Sequence, residues 1–138
     1  MTTLRYIERA TKYETSGVYR VGTPVIGYTV RIPQIRLYPA GMLEIGPGFG
    51  FDPSGPTIDT DAGIFASCAH DAFYRLMRLG LIPMSERAAV DDFFRDQCEK
   101  AGMSDFRAAV WEKGVELFAE GSADPNNVEE VKEITVND

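Results

Sequence analysis

Residues Asp61–Leu79 read DAGIFASCAHDAFYRLMRL, and the reading of this stretch decides the fold. Thr60 or Asp61 can cap it, the acidic start suits the positive end of a helix dipole, and Gly80 closes it with Pro83 beyond. It is expected to be a helix. It holds the only histidine of the chain, His70, followed directly by Asp71 and one turn later by Tyr74. Histidine alone titrates unperturbed near neutral pH, so a reaction needing a general base has one obvious candidate here.

Downstream, a second helical pattern starts at Ser85 as N-cap, with Glu86 in the first turn, and ends before Gly102. A third is capped by Ser104, followed by Asp105, and ends near Gly121. The short links, Leu81 to Met84 and Gly102 to Met103, require neighbouring helices to double back on each other. The tail from Ala123 is acidic and polar; Val131, Ile134 and Val136 either make a short strand or leave it frayed.

Upstream, the first sixty residues are turn-rich and read as β. Tyr19-Arg20-Val21, Tyr28-Thr29-Val30-Arg31-Ile32 and Ile35-Arg36-Leu37-Tyr38 cluster β-formers between Gly22, Pro24, Pro33, Pro39 and Gly41. Pro33 marks an edge or a bulge. Gly46 to Gly55 is so rich in glycine and proline that its backbone must turn unusually, approach something closely, or merely connect. The fold class expected is α+β: a small N-terminal β portion, then three packed helices, the first two an antiparallel pair. One domain over 1–138 is expected, with a β-rich portion and loop over 1–60, helices over 61–121 and an acidic tail over 122–138.

The chain has 138 residues, 44% of them hydrophobic, a formal net charge of −7 and a pI near 4.7. Such a surface repels phosphate backbones, which argues against nucleic acid as a partner. Nothing approaches the roughly 20 apolar residues of a membrane span, and Met1 to Ala10 lack the apolar segment of a signal peptide. A soluble protein without secretory signal is expected, in the host cytoplasm or a virion on the reading given below. Cys68 and Cys98 are too few for a disulfide framework, and with one histidine they do not make a structural zinc site.

Within the second helix, Ala88, Phe94, Cys98 and Ala101 fall on one stripe, and Asp91 lies on that stripe. Asp92, Asp96 and Glu99 occupy another side. A carboxylate among core-facing residues needs a partner. At 1.5 Å rise per residue, His70 is about 13 Å from the Leu79 end of its helix and Asp91 about 8 Å from Glu86, a gap that side-chain reach can close. Tyr74 shares the His70 face and can hold a carboxylate through its hydroxyl. Plainer readings stand beside this one: Asp91 with Arg87 or Arg95, Asp71 with Arg75 as a surface pair, His70 as a hydrogen-bonded core residue, and Cys68 as a small buried hydrophobe.

Three elements in order, Gly48-Phe49-Gly50-Phe51-Asp52-Pro53-Ser54-Gly55-Pro56-Thr57, Ala69-His70-Asp71-Ala72-Phe73-Tyr74-Arg75 and Val90-Asp91-Asp92-Phe93-Phe94, resemble domain-of-unknown-function family 1353 of tailed bacteriophages and prophages. The resemblance covers about residues 45 to 120. The His-Asp-x-x-Tyr helix with a downstream aspartate is also similar to the microbial branch of phospholipase A2. That second resemblance implies His70 as general base, Asp91 as its orienting carboxylate, Tyr74 as the supporting tyrosine and Asp71 as a calcium ligand. Asp52 is the loosest match, to a ligand from the upstream loop. Calcium would supply the positive charge that an acidic surface lacks.

Two functions follow from these resemblances. One is a phage or prophage accessory or virion-associated protein contacting other virion proteins, in which the His70-Asp91-Tyr74 cluster specifies packing. The other is a calcium-assisted hydrolase of lipids or other esters. A catalytic site should leave His70 in an open cleft with Asp71 and Asp52 converging on a cation, whereas a packing cluster should be closed by aromatic rings.

Overall fold

The structure, a computed structural model, describes residues 2–8, 13–52, 61–102 and 131–137. Seven strands come first: β1 (Thr2–Glu8), β2 (Tyr13–Thr15), β3 (Tyr19–Gly22), β4 (Val30–Ile32), β5 (Ile35–Leu37), β6 (Met42–Ile45) and β7 (Gly50–Phe51). Helices α1 (Asp61–Arg78) and α2 (Arg87–Lys100) follow, joined through a 3-10 turn at Met84–Glu86, and β8 (Val131–Val136) comes last. The strands form two four-stranded sheets, ordered β7-β2-β1-β8 and β3-β6-β5-β4, with every pairing antiparallel.

Alternation makes these strands. In β3, Tyr19 and Val21 are buried while Arg20 and Gly22 are exposed; in β5, Ile35 and Leu37 are buried around exposed Arg36. Such two-faced strands bury one side and wet the other, as antiparallel sheets do. Pro33 and Gln34 form the two-residue turn between β4 and β5, with Gln34 at φ 70°. Pro33 is thus neither in a strand nor at a bulge; its fixed φ serves the turn.

Gly41 holds the loops at the far end of that sheet. Its φ is +97°, its carbonyl accepts from the Thr23 amide at 2.9 Å and the Thr23 hydroxyl at 2.7 Å, and a Cβ there would press on the Thr23 carbonyl oxygen. Gly41→Ala is expected to cost about 2 kcal/mol through left-handed backbone strain and that clash. A denaturant midpoint equal to wild type would contradict this.

Helix α1 is the centre of the core: fourteen of its eighteen residues are buried. A helix buried nearly all round must be covered on several sides. The Tyr19 ring meets Phe65 of α1 edge-on at 6.0 Å, and its hydroxyl donates to Gln97 Oε1 of α2 at 3.2 Å. Tyr28 donates to Glu86 at 2.6 Å, tying the loop before β4 to the interhelix turn. The helices run antiparallel, since Tyr74 meets Arg87, His70 meets Asp91, and Ala62 and Ala66 cluster with Phe94 and Cys98. No helix of the described residues is long and apolar enough to cross a membrane.

The expected fold of a small β portion followed by three packed helices is overturned. The described residues make two four-stranded antiparallel sheets and two α-helices, with most strands ahead of the helices. The β part is larger than its sequence suggests because β1 carries Arg5 outward between buried Leu4 and Tyr6, so its charges mask an inward face. Strand β8 then completes that sheet from the far end of the sequence. The third helix expected over Ser104 to Gly121 lies outside the described residues. Ser85 is not the N-cap of α2: it sits in the 3-10 turn, and Glu86 occupies the cap position without a side-chain cap bond. Ala88 is exposed, so the buried stripe of α2 is Val90, Asp91, Phe93, Phe94, Gln97 and Cys98.

Candidate active site

Helix α1 presents His70 and Tyr74 from successive turns of one face, because residues four apart stack along a helix. Helix α2, running back alongside, brings Asp91 to meet both. His70 Nε2 lies 2.8 Å from Asp91 Oδ1. A carboxylate can only accept, so Nε2 carries the proton and Nδ1 holds the lone pair of the neutral ring. The Tyr74 hydroxyl donates to the same Oδ1 at 2.7 Å and accepts from Arg87 Nε at 3.1 Å. The Arg87 guanidinium also lies 3.9 Å from Asp91 Oδ2.

The imidazole is 3% exposed and Asp91 4%. The Tyr74 ring stacks on the imidazole at 4.2 Å and the Phe94 ring meets it edge-on at 5.1 Å. Aromatic rings thus pack on His70 from both helices, while its Nδ1 lies 3.9 Å from Asp71 Oδ1. That distance is longer than a hydrogen bond and becomes an ion pair only when the ring is protonated. Asp71 is less enclosed, with 22% of its side chain exposed. Its Oδ2 accepts the backbone amide of Asp52 at 2.7 Å, so the residue after β7 folds back onto α1.

Burial alone lowers the pKa of His70, but the carboxylates of Asp71 and Asp91 outweigh it and raise the value above 6.5. Burial raises the Asp71 carboxyl above the ordinary aspartate range, partly offset by His70 and the Asp52 amide. Tyr74 is pushed up to about 12, first by burial and then by its bond to Asp91. Burial also raises the Cys68 thiol, with the Asp71 charge adding to it. Cys68 and Cys98 are both free and buried.

Every residue singled out from the sequence thus falls in one neighbourhood: His70, Asp91 and Tyr74 in direct contact, Asp71 beside them, and Asp52 attached through its amide. The surface pair of Asp71 with Arg75 does not form; Asp71 turns inward to Asp52 and His70. Arg87 plays a part that spacing showed only for Asp91, since its shorter contact is with the Tyr74 hydroxyl. Phe94 was legible as a packing residue, but its place on the histidine ring was not.

Calcium takes six to eight oxygen ligands. Of the two aspartates expected to hold it, Asp71 uses one oxygen on the Asp52 amide, and no group of three or more His, Cys, Asp or Glu able to hold a metal forms among the described residues. No family model, curated protein or solved structure matches the chain.

Proposed function

We propose that this chain hydrolyses carboxylic esters, the acyl esters of phospholipids among them, with His70 as general base. One observation carries the reading: the imidazole is fixed through Nε2 onto a buried carboxylate while Nδ1 is turned toward Asp71, whose side chain is 22% exposed. Such a ring has its proton assigned and its lone pair aimed. Nδ1 takes a proton from water as the water oxygen bonds to the ester carbonyl carbon. The tetrahedral intermediate then expels the alcohol oxygen, which takes that proton back from Nδ1. Asp91 orients the ring and stabilises its charged form, and Tyr74 and Arg87 hold Asp91.

The pH dependence tests this. A base must be neutral, and Asp71 and Asp91 raise the pKa of His70, so turnover of a short-chain phospholipid or an activated ester is expected to rise with pH through a midpoint above 6.5. The stability contribution runs the other way. It is complete below the unfolded-state value and is lost as pH rises through the raised folded-state value. Activity and histidine-linked stability should therefore trade places over one pH window, a crossing measurable by paired rate and denaturation series.

A second reading is favoured by the burial of the ring, 3% exposed and packed against the Tyr74 and Phe94 rings. In it the cluster specifies the packing of α1 on α2 in a virion-associated phage protein. Absence of turnover on every ester at every pH, together with the same loss of stability at higher pH, would decide for that reading.

A further inference from the structure

The exposed face of the second sheet carries a row of charge that the histidine cluster does not use. Across β3, β6, β5 and β4 the register sets Arg20 opposite Glu44, Glu44 opposite Arg36, and Arg36 opposite Arg31. Val21, Leu43, Leu37 and Val30 alternate with them and are buried, so all four charged side chains lie on the outer face. Glu44 is the only carboxylate in the row. It accepts from Arg20 Nε at 2.6 Å and lies 3.8 Å from Arg36 Nη1. The Arg31 side chain has no hydrogen bond or ion pair among the described residues.

Like charges directly across two strands destabilise a sheet, and arginine cannot relieve the repulsion by losing its proton. The row is nonetheless net positive in a chain whose formal charge is −7. Beside it is a depression of about 360 Å³ lined by Val18, Ile32, Pro33 and Gln34, with Arg36 and Glu44 on its wall.

We propose that Arg31 and Arg36 together hold the phosphoryl group of a phosphate ester, whose organic part lies against Val18, Ile32 and Pro33. Arginines at facing positions of neighbouring strands can bring together two planar forks of N–H donors that match phosphate oxygens, and a bound anion removes the repulsion between them. Glu44 pairs with Arg20 and lies near Arg36, so three arginines and one carboxylate leave the row a net positive charge suited to a single such group. The overall negative charge repels an extended polyanion such as nucleic acid.

The probe is inorganic phosphate, titrated into the full chain at low ionic strength and followed through the arginine Nε–Hε resonances. The signals of Arg31 and Arg36 are expected to move, and that of Arg5, which pairs with Glu133 on the other sheet, to stay. Arg31→Gln should weaken binding roughly tenfold, the loss of one charge-assisted pair. Arg31→Gln with Arg36→Gln should abolish it, and Arg5→Gln should leave it unchanged. Co-sedimentation with phosphatidylglycerol and phosphatidylcholine vesicles separates the sources. Retention on either that is lost in the double variant assigns a lipid headgroup, and phosphate binding without retention assigns a soluble phosphate ester. No phosphate-induced shift of the Arg31 and Arg36 signals in wild type, or phosphate binding of equal strength in wild type and double variant by calorimetry, overturns the proposal. Ester hydrolysis is not among these readouts, so the two proposals fail separately.

Discussion

Asp91→Ala is expected to destabilise the chain by about 3 kcal/mol, whereas Asp92→Ala, one residue further, should stay within about 0.5 kcal/mol of wild type. Asp91 Oδ1 is the acceptor for two buried donors, His70 Nε2 and the Tyr74 hydroxyl. Removing it leaves both buried donors without their acceptor, His70 being 3% exposed. Asp92 is exposed. Asp91→Asn keeps one carbonyl acceptor and should cost less, about 1 kcal/mol. Urea midpoints at unchanged slope measure all three. Equal midpoints for the Ala variants of Asp91 and Asp92 would mean that the cluster does not hold the helices together.

His70→Ala should lower ester turnover about 10²- to 10⁴-fold, the range of a lost general base, with the helical circular dichroism of wild type retained. His70→Gln separates chemistry from packing: its amide N–H₂ can still donate toward Asp91 but cannot take a proton at neutral pH. It should be as inactive as the alanine variant and closer to wild type in stability. Asp71→Asn keeps an acceptor for the Asp52 amide and removes one of the two charges that raise the pKa of His70. The rate midpoint should therefore move to lower pH without loss of the fold. Undiminished turnover in His70→Gln would remove the histidine from the mechanism.

Much of this cluster was legible in the sequence, for a definite reason. Helical spacing is a short-range property, so the four-residue step from His70 to Tyr74 and the apolar setting of Asp91 can be read without knowing what packs where. The apolar signal tolerated an error, since Ala88 proved exposed, because most of the stripe was right. The sheets were harder. Pairing between Thr2–Glu8 and Val131–Val136, or between Tyr13–Thr15 and Gly50–Phe51, is fixed by partners distant in sequence, and Arg5 and Glu133 conceal the inward faces. The charged row on the second sheet was hidden likewise: Arg20, Arg31, Arg36 and Glu44 become neighbours only once the register is known.

The pairing of β1 with β8 also sets an order of events during synthesis. Thr3 and Thr135 share a hydrogen bond across 132 positions of sequence. Strand β2 is available to β1 almost as soon as both leave the ribosome, but the other flank of β1 has to wait for nearly all the rest of the chain. Until then its backbone amides and carbonyls are open to any passing strand, beside the inward-pointing Leu4 and Tyr6. Closing so long a loop is slow compared with forming the helix pair. The helices carrying His70 and Asp91 can thus meet while the first sheet is still one strand short, and a newly made chain is most exposed to aggregation along β1.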